Sequence, residues 1–102
     1  MEQMRFKFEG GGLKGAQAAT LVGVVASGNL EVLMEKIPMS GACEITISTA
    51  ARGFGDIWKA VLEDFFARHP LADVRVSIND MGATPAVVSL RLDQAAEEFV
   101  AT

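Results

Sequence analysis

Along this chain the spacing of apolar residues changes period, and that change restricts the fold more than any other feature. Over residues 2 to 9, Met4, Phe6 and Phe8 alternate with Arg5, Lys7 and Glu9, the every-second-residue pattern of a strand with one wet face. Thr20 to Ala26 and Leu30 to Ile37 are rich in β-branched and aliphatic residues and predict two more strands. Ala42 to Thr49 alternates Cys43, Ile45 and Ile47 with polar neighbours, a third strand of the same meander, and residues 73 to 80 alternate Val74, Val76 and Ile78. Between these last two the period lengthens to 3.6. From Asp56 to His69 the residues Ile57, Trp58, Val61, Leu62, Phe65 and Phe66 fall on one broad stripe, as an amphipathic helix requires. The Ile57, Val61 and Phe65 line is expected to face the core.

The punctuation agrees with this division. Ser27, Gly28 and Asn29 separate the second and third strands, and Gly and Asn are the residues that most readily accept positive φ, so a tight hairpin turn is expected there. Pro38 closes the third strand and Ser40 with Gly41 makes the next turn. Gly10, Gly11, Gly12 and Gly15 read as a flexible loop, because no helix follows as a phosphate-gripping glycine fingerprint would need. Gly53 to Gly55 also reads as a loop, with Asp56 capping the helix and Pro70 ending it. Thr84 before Pro85 is an N-cap followed by a first-turn proline. Val88, Leu92, Ala95 and Phe99 then share a helical face; Val88 to Asp93 also alternates at period two, and helix is the preferred reading. The order β-β-β-β-α-β-α predicts an α+β fold, a mainly antiparallel β-sheet with two helices packed on one face, an α/β sandwich. At 102 residues the chain suffices for one domain, residues 1 to 102, and one core.

Composition narrows the function. Thirteen acidic against nine scattered basic residues, a net charge of −4, argue against nucleic acid, whose phosphates draw clustered Lys and Arg. The most apolar stretch, Ala16 to Ala26, is broken by Gln17, Thr20 and Gly23 and falls far short of the ~20 residues that span a bilayer. With Glu2 after Met1 and no apolar leader block, a cytoplasmic protein with no membrane partner is expected. One Cys and one His allow neither a disulfide nor a structural zinc site.

No set of catalytic residues emerges. His69 lies at a helix end with nothing in sequence to pair it and is expected at the surface. Cys43 falls on the apolar side of a strand and is expected in the core. Glu63 with Asp64 and Glu97 with Glu98 point in different directions on helices, as solvated faces do. Ser27 differs: a hydroxyl at a hairpin tip beside a glycine has room for a bulky substituent on its oxygen.

Two segments, VGVVASGNLEVLMEK (Val22 to Lys36) and INDMGATPAVVSLRLDQAAEEF (Ile78 to Phe99), resemble the acyl carrier, or delta, subunit of malonate decarboxylase, and the resemblance runs nearly the whole chain. Phe54 to His69 also resembles a helix of the acyl carrier, or gamma, subunit of citrate lyase; the run Gly82 to Pro85 favours the first family. The resemblance implies that Ser27 is the modified serine. Its Oγ would carry 2'-(5''-phosphoribosyl)-3'-dephospho-CoA through a phosphodiester, with Gly28 and Asn29 forming the turn. Asn29 stands where the family usually has Asp, and Asn keeps the turn chemistry. The chain would then be no enzyme but a carrier, a phosphoprotein holding acetyl and malonyl thioesters while malonate becomes acetate and CO2. Its implied partners are the transferase and decarboxylase subunits and the transferase that installs the group. The Asp-Ser-Leu motif of four-helix carriers of 4'-phosphopantetheine is absent. Two alternatives stay open: the citrate lyase carrier, and a plain interaction domain whose Ser27 is only a turn residue.

Overall fold

A computed structural model of the chain describes residues 1–23 and 29–101. Among them are strands β1 (Glu2–Phe8), β2 (Ala19–Val22), β3 (Leu30–Lys36), β4 (Cys43–Thr49) and β5 (Val74–Asp80), with helices α1 (Gly55–Arg68) and α2 (Pro85–Val100). The strands form one sheet in the order β1-β4-β5-β3-β2. Three pairings are antiparallel, and β4 with β5 is parallel. The mainly antiparallel α+β sheet with two helices is therefore present.

The alternation sets the two faces. Leu30, Val32 and Met34 on β3, Cys43, Ile45 and Ile47 on β4, and Val74, Val76 and Ile78 on β5 are all buried. Helix α2 lies against β2 and β3, while α1 lies against β1 and α2. Their buried residues, Trp58, Leu62 and Phe65 on α1 and Val88, Leu92, Ala95, Ala96 and Phe99 on α2, complete one core with the sheet. Residues 88 to 93 are helical, as preferred, and Thr84 Oγ1 accepts a hydrogen bond from Val87 N–H at 3.3 Å with Pro85 opening the helix. None of the helices described is long and apolar enough to cross a membrane.

Several expectations need correction. Strand β4 does not continue a meander beside β3: β5 comes between them, because β4-α1-β5 is a strand-helix-strand crossover, the connection parallel neighbours require. On α1 the buried line is Trp58, Leu62 and Phe65; Ile57 is 45% exposed and Val61 only half-buried. The larger indole and the flanking Leu reach the layer between sheet and α2, which leaves Ile57 at the rim. Helix α1 begins after Phe54 with no side-chain cap, and Asp56 sits inside its first turn, where a carboxylate favours the positive helix end. The glycine-rich stretch is pinned rather than free. Gly12 and Leu13 N–H both donate to Pro70 O, Ala16 and Gln17 N–H donate to Phe99 O, and Gly15 lies so close to the Phe99 ring that a Cβ would overlap it.

Candidate functional site

One row of paired residues, Glu2, Thr49, Asp80 and Leu30, crosses β1, β4, β5 and β3 at the same end of the sheet. Both helix N-termini follow from this end, through the β4–α1 and β5–α2 connections. Its foundation is Asp80, buried together with Thr49. Thr49 Oγ1–H donates to Asp80 Oδ2 at 2.7 Å, and Ala83 and Gly82 N–H donate to Asp80 Oδ1 at 2.9 and 3.3 Å. Ala51 N–H donates to Thr49 Oγ1 at 3.1 Å. A buried carboxylate needs such partners, and here they tie the ends of β4 and β5 to the loop that starts α2. The pair is buried, with Thr49 fully enclosed, and acts as a bolt. Asp80 and Thr49 escaped sequence reasoning; the D-x-G-A-T-P run was the available signal, since a carboxylate just ahead of Gly and Thr-Pro can gather the loop's N–H groups.

Beside this bolt opens an apolar cleft of about 360 Å³, lined by Phe54, Ile57, Trp58, Val61, Pro85 and Val88 and edged by Asp80 and Gly82. Phe54, Ile57 and Met81 are large apolar side chains left exposed around it.

Gly23 and Asn29, the described residues on either side of the predicted attachment segment, lie toward the same end. Ser27 and Gly28 lie outside the described residues. Asn29 is described: it adopts φ 59°, and its carbonyl accepts Met81 N–H at 2.8 Å, so the foot of the segment is tied to the loop after β5. The left-handed conformation is one Asn tolerates well. On the other side Val22 pairs with Val32 and Gly23 follows with φ +82°. A Cβ at Gly23 would stand 2.5 Å from Leu30 O and 3.1 and 3.3 Å from Nη1 and Cδ of Arg91. Glycine is required there on both grounds, and Arg91 on α2 rests against the root of the segment. Arg91 Nε–H is buried and has no hydrogen-bond partner among the described residues. Nothing in the residue pattern around Gly23 or Arg91 marks this contact, which joins positions far apart in the chain.

The remaining candidates fall elsewhere. Cys43 is fully buried in β4, and burial pushes its thiol up to about 12, so it is a core residue with no thiolate at neutral pH. His69 is not the surface residue expected: only 18% of its side chain is exposed, its ring lies against Phe65 at 5.3 Å, and its Nε2 is 3.1 Å from Asp93 Oδ1. Arg68 bonds the same Asp93 Oδ1 through Nη2 at 2.8 Å and also pairs with Asp64, four residues before it on α1. These contacts clamp α1 to α2 at the end remote from Asn29.

A family model described as the malonate decarboxylase delta subunit (MdcD) matches residues 17–99. The chain belongs to that family. A malonate decarboxylase acyl carrier protein from Xanthomonas euvesicatoria is 68% identical over 100 residues, covering 95% of this chain and 93% of the relative. One from Burkholderia cepacia is 66% identical over 98 residues, covering 96% and 90%. A chain in the crystal structure of a Pseudomonas malonate decarboxylase hetero-tetramer in complex with malonate superposes with a TM-score of 0.83 at 37% identity, over 96% of this chain and 98% of that one. The Xanthomonas and Burkholderia relatives are acyl carrier proteins by name, the first of the readings drawn from the sequence; the family match covers both segments that carried the resemblance.

Proposed function

We propose that the chain is the acyl carrier subunit of a malonate decarboxylase, with Ser27 Oγ bearing phosphoribosyl-dephospho-CoA through a phosphodiester. The observation that carries the reading is the near full-length identity to named acyl carrier proteins, joined to a fold whose relative sits in a malonate decarboxylase hetero-tetramer. When attached, the group supplies a thiol on a long tether, on which acetyl and malonyl groups are exchanged between partner active sites.

The chain's own part is to hold the anchor and to stay rigid. The Asp80 bolt and the Asn29–Met81 bond hold the described residues that follow residue 28, while Gly23, which precedes residue 24, lies close to Leu30 O. The tether's length sets the effective concentration of the thiol at each partner. The flanking residues are compatible with a phosphate-borne group: the guanidinium of Arg91 lies against Gly23, and Asn29 is exposed to an incoming transferase. Cys43, fixed in the core, has no reach. The subunits that exchange acyl groups and release CO2 are the expected partners, in the cytoplasm.

Intact mass spectrometry tests the reading. Coexpression with the cognate prosthetic-group transferase is expected to add the group's mass to the wild-type chain, to map it to Ser27, and to add nothing to Ser27→Ala. Modification of any other residue would remove Ser27 from the account.

A further inference from the structure

The two edges of the sheet differ. Strand β2 is four residues long and is followed at once by Gly23. Strand β1 is seven residues long, contains no proline and pairs with β4 in unbroken register from Glu2 to Phe8. Along its other side no described residue pairs with it. The five residues between Gly23 and Asn29 leave and return on the far side of the sheet and reach at most about 10 Å from those ends. The outer edge of β1 lies beyond that, three strand spacings or about 14 Å from β3. Every second residue of an edge strand turns both its N–H and its C=O outward, and a long edge with neither proline nor bulge is a template for another strand.

The side chains say what kind of strand fits. Met4, Phe6 and Phe8 alternate toward the helix layer but are only half-buried. Helix α1 covers them from Gly55, beside Met4, to Phe66, whose half-buried ring stacks on that of Phe8 at 5.0 Å. A sixth strand with apolar residues at alternate positions would close their open flanks. The opposite face of β1 carries Arg5, 72% exposed and 4.0 Å from Glu44, and Lys7, paired with Glu9 at 3.8 Å. These bases disfavour a second copy. Two-fold antiparallel pairing of β1 with itself opposes Arg5 to Arg5 when centred on that residue, and Arg5 to Lys7 when centred on Phe6. Like charges directly opposite are destabilising, whereas acidic residues at those positions make favourable cross-strand pairs.

We propose that the outer edge of β1 is a docking site for an extended segment of a partner protein in which apolar residues alternate with acidic ones. Main-chain hydrogen bonds to the outward N–H and C=O groups supply affinity, and the alternating side chains set register and specificity. The apolar side of the added strand meets Met4, Phe6 and Phe66, and its acidic side meets Arg5 and Lys7. The site stands on the far side of the sheet from Gly23 and Asn29 and does not depend on the Ser27 reading.

The test is made on the 15N-labelled full chain with a capped peptide as long as β1 that alternates glutamate with valine. The peptide is expected to shift the amide resonances of residues 2 to 8 and to slow exchange of the outward amides at least about tenfold. The same peptide N-methylated throughout, which has no main-chain donors, is expected not to bind. Reversing both charges, Arg5→Glu with Lys7→Glu, is expected to weaken the glutamate peptide about tenfold, the worth of two cross-strand charge pairs, and to favour a peptide with lysine in place of glutamate. Both residues are on the open face, and thermal melting checks that the fold is kept. Unmoved β1 amides at about 1 mM peptide, or equal binding of the N-methylated peptide, would overturn the proposal. Shifts confined to β2 or to the apolar cleft would also overturn it. A concentration-dependent dimer that protects the β1 amides would give the edge to a second copy instead and overturn the choice of an acidic partner.

Discussion

Strand β5 has an aspartate at each end, and the two ends of the molecule differ in what those aspartates hold. Asp73, just before β5, accepts Met39 N–H at 2.9 Å and Gly41 N–H at 2.8 Å and pairs with Lys14. Around it Gly12 and Leu13 are hooked to Pro70, Ala16 and Gln17 to Phe99, and Phe65 and Phe99 are fully buried. That end is closed. Asp80, at the other end, is itself buried, yet the surface around it exposes Phe54, Ile57 and Met81 beside a cleft and leads to the 24–28 segment. The same device, a carboxylate gathering backbone N–H groups, closes one end and stiffens the rim of an open one. The open end leaves large apolar side chains at the surface, where other molecules can meet them.

Substitutions can break this comparison. The largest effect is expected at the closed end: Phe65→Ala should cost about 3 to 5 kcal/mol in denaturant unfolding, since a fully buried ring leaves a cavity. A loss below about 1 kcal/mol would mean that the core does not sit there. Next, Thr49→Val keeps the volume but removes the donor to Asp80 Oδ2 and the acceptor for Ala51 N–H. A cost of roughly 1 to 3 kcal/mol is expected for the groups left unpaired in the interior, together with faster amide exchange at Gly82 and Ala83. At Asp73 the effect depends on pH. The N–H groups of Met39 and then Gly41, with Lys14 adding to them, hold its carboxyl below the ordinary carboxylate range. Its contribution is therefore present above about pH 4, the usual unfolded value, and is lost as the pH falls through the lowered folded value. Asp73→Asn should melt below the wild type at pH 7, and the two melting curves should converge in strong acid; a gap that widened on acidification would contradict the hydrogen bonding. The smallest change is expected at the open end, where Ile57→Ala, at a residue 45% exposed, should stay within about 0.5 kcal/mol.

Much of the architecture was legible in residue spacing. Each strand and helix described overlaps its predicted stretch, although β2 ends at Val22 before Gly23 and residues 24 to 26 of its predicted span lie outside the described residues; Thr84 caps α2 before Pro85 as the pair of residues implies. The site was legible in part. The Ser27 assignment came from resemblance, and Asn29 has the positive φ that its side chain tolerates. Asp80, Gly23 and Arg91 were passed over, because each draws its role from a neighbour far along the chain: Asp80 from Thr49, Gly23 from Arg91 and Leu30.

By itself the sequence determined which stretches extend, which coil, and which side of each is apolar, since these follow from interactions within a few residues. Only the tertiary structure decided that β5 lies between β4 and β3, that Trp58 and Leu62 rather than Ile57 enter the core, and that Arg91 comes to rest on Gly23. The reason is physical: strand partners and helix rotation are chosen by how whole layers bury their surfaces against one another, and local period is blind to that choice.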